Sequence, residues 1–265
     1  MGLKKGCYTA AAVLVLFTGL SANAQHRYKV TIKNGGVMGV SPGAIYVVDG
    51  NEPLSAVGKS ASAGFTQICQ TGNTSLRLEE LKANPLVRYS TSTSAPIAPG
   101  AETSFEIDLR DRQSLHFEAM YGRTKDLCAV IDIPAEQLRD LRANFSNVVI
   151  GRDKVLASGR FTDPIASADA DSLCQSSSNA ISCLRALSFD ASGPIKFFVG
   201  YLPSLLTYLE EKYSAAEVQT LLVPTAGAVE FTVELVRAQI PRDNTLPIEV
   251  RSPNLRGGQN SNQQR

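Results

Sequence analysis

Apolar and polar residues alternate from Arg27 to Lys33, with Tyr28, Val30 and Ile32 on one side, a period-two pattern that predicts a half-buried strand. Gly35-Gly36 breaks it. After Ser41-Pro42-Gly43 the run Ala44 to Val48 predicts a second strand, closed by the turn dipeptide Asp49-Gly50. Ser60 to Gln70 and Leu76 to Ala83 read as short helices, with Thr74 capping the second and Pro85 ending it. Strand patterns resume at Leu86 to Ser90, Ser104 to Leu109, Leu115 to Tyr121 and Leu127 to Ile131. This half of the chain is therefore mostly β with a helical excursion.

The second half is less uniform. Pro134 to Ala143 predicts a helix opened by proline, with Leu138 and Leu141 three apart, and Val148 to Ile150 fits a strand. Asp163 to Cys183 is polar, rich in Ser and Ala, and predicts a long loop. Leu202 to Tyr213 is the clearest amphipathic helix, carrying Leu205, Leu206 and Leu209 on one side. Val229 to Ala238 is the best strand pattern, with Val229, Phe231, Val233 and Leu235 directed inward. The tail over residues 241–265 is polar, turns basic from Arg251, and is expected to be flexible.

Residues 1–24 are better read as an address than as fold. Lys4 and Lys5 precede the apolar run Thr9 to Leu20, and Ala22-Asn23-Ala24 has the small-x-small pattern of a signal-peptidase site. A membrane-crossing helix needs roughly 18 to 20 apolar residues, and this run is shorter. The expected product is an exported chain starting at Gln25, periplasmic or secreted, with no transmembrane segment after cleavage.

Residues 1–24 hold two lysines and one cysteine, so the remainder carries 24 basic against 25 acidic residues and four cysteines. That charge balance gives no counterion-release drive toward phosphate backbones, so nucleic acid is not an expected partner. Four cysteines in an exported chain predict two disulfides, with three possible connectivities. Only eight residues separate Cys174 from Cys183, so that pair closes most easily, and Cys69 with Cys128 follows by elimination. Four buried thiols are the alternative. The chain has no C-x-x-C or nearby His with zinc-ligand spacing.

Taken in order, several short motifs resemble the spondin domain, a module that also occurs in exported bacterial proteins. They are the strand Tyr28 to Lys33, Ser41-Pro42 before a strand ending in Asp49-Gly50, and Val57-Gly58 followed by Ala61-Ser62. Gly72-Asn73 then opens a Leu-bearing helix, Ile97-Ala98-Pro99-Gly100 leads into Phe105 and Ile107, and Leu115 to Met120 precedes Thr124-Lys125-Asp126. Val229 to Ala238 is similar to the family's closing strand. The resemblance implies a mainly β fold, an antiparallel β-sandwich of C2-like topology with helical insertions, over residues 25–240. Residues 134–228 form a stretch that does not align.

The resemblance also implies a calcium ion held by acidic loops at one end. Lys125-Asp126-Leu127 stands where the family has Pro-Asp-aromatic, and Ala168-Asp169-Ala170-Asp171-Ser172 stands where it has Asp-Ala-Gly-Thr. Asp126, Asp169 and Asp171 are thus the candidate ligands, with backbone carbonyls and waters needed to complete a shell of six to eight oxygens. Solvated loop charges are the alternative.

Catalytic signatures are sparse. His26 lies two residues from the expected N-terminus, which leaves His116, facing solvent or a polar neighbour in its strand, as the one credible general base. No G-x-S-x-G, H-E-x-x-H or P-loop motif occurs. The expectation is an exported, non-catalytic binding or adhesion module for an extracellular or cell-envelope ligand, whether protein, glycan or lipid headgroup. The alternatives are an exported hydrolase built on residues 134–228 and a structural envelope or matrix protein.

Overall fold

Tyr28, Val30 and Ile32 are fully buried where their alternation places them, along β1 (Gln25–Asn34), which runs through the middle of a sheet. β2 (Ala44–Asp49), β3 (Val87–Ser92), β4 (Glu102–Arg110), β5 (Gln113–Met120) and β6 (Leu127–Ile133) follow, then β7 (Val149–Arg152), β8 (Lys154–Ala157), β9 (Lys196–Phe197) and β10 (Val229–Ala238). The computed structural model describes residues 25–124, 127–143, 148–158, 171–172, 174–186, 194–198, 203–219 and 224–238. Expectations for the leader, Lys125, Asp126, Asp169 and the C-terminal tail fall outside the described residues.

The strands form two antiparallel sheets, one ordered β4-β1-β10-β7 and the other β3-β2-β5-β6-β8-β9. The inner face of the four-stranded sheet brings Tyr28, Val30, Ile107, Leu109, Phe231 and Val233 against Val47, Leu115, Phe117, Ala129 and Ile131 of the other. The rings of Phe117 and Phe231 meet across the layers with centroids 5.1 Å apart. Two sheets each offering one apolar face bury both by stacking, so the expected antiparallel β-sandwich is what forms. Strands from within 134–228 complete both sheets: β7 joins β10, and β8 joins β6.

The six-stranded sheet is covered on its second face as well. Helices α1 (Ala63–Thr71) and α2 (Ser75–Ala83) place Phe65, Ile68 and Leu81 on Ala44, Tyr46, Val48 and Val130. This double cover explains why every residue of β5 is buried. Helix α1 begins at Ala63, later than the expected Ser60, because Ser62 Oγ accepts from the Phe65 N–H at 3.1 Å. It ends at Gly72, whose φ of 71° is the left-handed cap that glycine adopts without a Cβ clash. Thr74 does not cap α2; Asn73 Oδ1 accepts from the Ser75 N–H at 2.9 Å instead.

Helix α3 (Ala135–Ala143) buries Leu138 and Leu141 as their spacing predicts. Of the loop expected from Asp163 to Cys183, residues 163–170 and 173 lie outside the described residues, Asp171, Ser172 and Cys174 are helical, and the end falls in helix α4 (Ala180–Ala186), where Asn179 Oδ1 accepts from the Ser182 N–H at 2.9 Å. Helix α5 (Pro203–Lys212) buries Leu205 and Leu209, and α6 (Ala215–Gln219) follows. Disulfides join Cys69 to Cys128 and Cys174 to Cys183, with Cα separations of 5.1 and 4.7 Å, inside the usual range. The first pins α1 to β6. Among the described residues no helix is long and apolar enough to cross a membrane.

Candidate functional site

Between the six-stranded sheet and its helical cover lies a row of buried polar side chains. Ser114, His116 and Glu118 share one face of β5 because side chains two apart on a strand point the same way. Register sets Tyr46 of β2 and Asp132 of β6 opposite His116, so three strands contribute to one line.

Ser114 Oγ lies 2.7 Å from His116 Nε2, and His116 Nδ1 lies 2.7 Å from Asp132 Oδ1. A carboxylate only accepts, so Nδ1 carries the proton toward Asp132 and, in the neutral ring, Nε2 accepts from the Ser114 hydroxyl. Lys154 Nζ donates to the other Asp132 oxygen at 3.1 Å. Burial by itself would raise the Asp132 pKa, but His116 and Lys154 together outweigh it and hold the carboxyl below its ordinary value. The connectivity is that of nucleophile, base and orienting acid. Access differs from that pattern: Ser114 has 0% of its surface exposed and His116 1%.

Next to this row, the His116 ring stacks on Tyr46 at 4.9 Å, and the Tyr46 hydroxyl donates to Glu118 Oε1 at 2.7 Å. Arg77 of α2 forks onto the same carboxylate, with Nε and Nη2 each 2.9 Å from a Glu118 oxygen. Its remaining donors reach Ser55 Oγ at 2.8 Å, Ser62 Oγ at 3.1 Å and Glu80 Oε2 at 3.2 Å. Burial opposes the Arg77 charge, yet Glu118, Tyr46 and Glu80 overcome it and raise the guanidinium pKa above the normal value. A Cβ on Gly64 would lie 2.6 Å from Arg77 Cα, so glycine there lets α1 approach α2 and close over the network.

Sequence reasoning picked out His116 and its need for a polar neighbour, but missed Ser114, Asp132, Arg77 and Glu118. The period-two placement of Ser114 and Glu118 about His116 was legible; that Asp132 and the helix residue Arg77 come to the same face was not.

The calcium candidates are not brought together among the described residues. Asp171 is exposed, and its Oδ1 accepts from Tyr208 at 2.9 Å and Lys212 at 3.0 Å, the lysine holding its pKa down. Asp126 and Asp169 lie outside the described residues, within which no cluster of three metal-ligating side chains occurs. A different buried carboxylate, Asp153, sits below the loops at one end of the sandwich, accepting from the Tyr121 hydroxyl and from the Val229 N–H at 2.9 Å. Burial raises its pKa.

No protein-family model matches the chain, and no curated protein matches it in sequence.

Proposed function

We propose that the chain is an exported, non-catalytic binding module of spondin type. What carries the reading is the way the scattered motifs behind the resemblance meet in space. The Ser41 N–H donates to the Met120 carbonyl at 2.9 Å and Ser41 Oγ accepts from the Met120 N–H at 3.0 Å, joining the Ser41-Pro42 step to the end of β5. Gly72 packs on the same serine: a Cβ there would stand 2.7 Å from Ser41 Cβ. Val40 bridges to both Ile97 and Tyr121. Residues from separate motifs thus cooperate in one junction. Two disulfides fit an oxidising compartment.

The hydrolase reading has one observation in its favour, the Ser114, His116 and Asp132 row. It lies in the sandwich and outside residues 134–228, and its hydroxyl is closed off from solvent. The row works as a hydrogen-bonded brace across β5 and β6, with Tyr46 of β2 stacked on His116, satisfying polar groups that would otherwise be buried without partners.

The deciding experiment presents the mature protein with isolated cell-envelope material and, in parallel, with chromogenic ester, peptide and glycoside substrates, each with and without millimolar calcium. Saturable envelope binding without turnover supports the proposal. Turnover lost in folded Ser114→Ala and His116→Ala variants overturns it in favour of the hydrolase. The calcium component is read from the melt: a site filled at one hundred times its dissociation constant stabilises by about 2.7 kcal/mol. An unmoved melting temperature removes calcium from the proposal.

A further inference from the structure

Among the described residues β4 has a strand neighbour on one side only. β1 pairs along its whole length, from Gln25 opposite Arg110 to Lys33 opposite Glu102, without a shift of register. On the other side no strand stands among the described residues. The Arg110 N–H shows which backbone groups face that way, because it donates to Gln113 Oε1 at 2.8 Å and not to β1. Alternation along an antiparallel strand gives Asp108, Glu106 and Ser104 the same orientation, so their N–H and C=O groups point to the open edge. Such edges are commonly blunted by proline, lysine or a bulge. The sequence ETSFEIDLR contains neither residue, and the pairing with β1 contains no bulge.

Beside this edge a cleft of about 410 Å³ runs between β4 and β3, the outermost strands of the two sheets. Val47 and Ile107 reach it from the inner faces, and Arg88 and the half-exposed Tyr89 line it from β3. β1 displays the kind of strand that β4 accepts. Arg27 holds Asp108 with two bonds of 2.9 and 3.1 Å, Lys29 stands opposite Glu106, Thr31 bonds Ser104 at 2.8 Å, and Lys33 stands opposite Glu102. Between them Tyr28, Val30 and Ile32 turn to the core. The acidic row of β4 is available to a neighbour on its other side by the same cross-strand rule.

Resting on the binding reading above, we propose that the open edge of β4 docks an extended segment of a partner protein, added antiparallel, in which apolar and basic residues alternate. Its apolar side chains enter the cleft over Val47 and Ile107, and its cations stand opposite Asp108, Glu106 and Glu102. Main-chain bonds supply affinity and the alternating side chains supply selectivity. A second copy of β4 is a poorer occupant. Antiparallel self-pairing about Glu106 or Asp108 sets that carboxylate against its own copy.

The probe is a blocked heptapeptide with the sequence of β1 from Arg27 to Lys33, RYKVTIK, compared with EYEVTIE, and the protein is the full mature chain. Fluorescence anisotropy should show saturable binding that weakens at least about tenfold for the acidic peptide. It should weaken as much in Ser104→Pro, which removes one edge donor and leaves the main-chain bonds to β1 in place, giving up only the Thr31 hydroxyl contact. Glu106→Lys, which spares the backbone, should weaken it too, with both melts recorded as fold controls. The Ser104, Glu106 and Asp108 amides should exchange quickly in the free protein and slowly with RYKVTIK bound. The proposal is overturned by absence of binding at millimolar peptide, by equal binding to both variants, or by slow exchange of those amides in the free protein, which means a second copy or another part of the chain already covers the edge. Envelope binding that survives loss of the peptide site would sink the edge alone, whereas Ser114-dependent turnover would sink the binding reading.

Discussion

Removing either partner of the Arg77–Glu118 pair should destabilise the protein by about 3 to 5 kcal/mol, because the survivor stays buried without its main counter-ion. The two substitutions differ in what they leave behind. Glu118→Gln keeps an acceptor for the Tyr46 hydroxyl and leaves the guanidinium on Ser55, Ser62 and Glu80, so its cost belongs at the lower end. Arg77→Met leaves a carboxylate with 0% exposed surface and one hydroxyl donor, which belongs at the upper end. At about 2 to 4 °C per kcal/mol for a domain of this size, melting temperatures should fall by roughly 6 to 20 °C. Urea titration of both singles and of Arg77→Met/Glu118→Gln closes a double-mutant cycle, with unchanged slopes required for the comparison. The double variant should cost well under the sum of the singles, since it buries no lone charge. Singles costing less than about 1 kcal/mol, or strict additivity, would refute the account of the network as a closed, mutually dependent unit.

The two disulfides should contribute unequally, since their loops differ in length: separations of 59 and 9 residues correspond to about 4 and about 2.6 kcal/mol in the chain-entropy picture, checked by denaturation of the two paired Cys→Ala variants. Asp132, held below the ordinary carboxylate range, contributes stability that is complete above about pH 4 and is lost as the pH falls through its lowered pKa; Asp132→Asn should flatten that acid limb of a stability profile. His26 shifts the other way for a base: burial and Arg142 lower its pKa against the pull of Asp111, and its buried Nδ1 has no hydrogen-bond partner. The unfolded chain therefore takes up the proton first, so stability should decline as the pH drops below about 6.5, and His26→Phe should remove that slope from a pH series of melts.

Much of the layered architecture was legible before any coordinates. Strict alternation at Tyr28, Val30 and Ile32 and at Val229, Phe231 and Val233 identified two strands with one buried face each, and those residues are buried. The disulfide partners followed from spacing and the expectation of an exported chain. Short strands were harder: Lys154 to Ala157 offers only four residues, too few for a period to declare itself, and it is a strand because β6 supplies the hydrogen bonds. Helix caps were placed to within a few residues, and the cap of α2 belongs to Asn73 because its side chain accepts two residues ahead, a choice that Thr74 beside it obscured.

The sequence by itself determined which residues could share a face, since strand and helix periods are local properties of the backbone. It therefore fixed the inward rows of β1 and β10, the parity of Ser114, His116 and Glu118, and the apolar stripe of α5. Only the tertiary structure decided what each face meets. The same parity that would put His116 in water on a two-layer protein buries it beside Tyr46 on a face that α1 and α2 cover, and that cover brings Arg77 down as the ion that neutralises Glu118. Likewise nothing in ETSFEIDLR says whether it is an inner or an outer strand; that follows from β1 taking one edge while the chain turns at Asp111 into the other sheet. Long-range pairing depends on closure of loops whose entropy and competing partners are properties of the whole chain, which is why a local pattern cannot encode it.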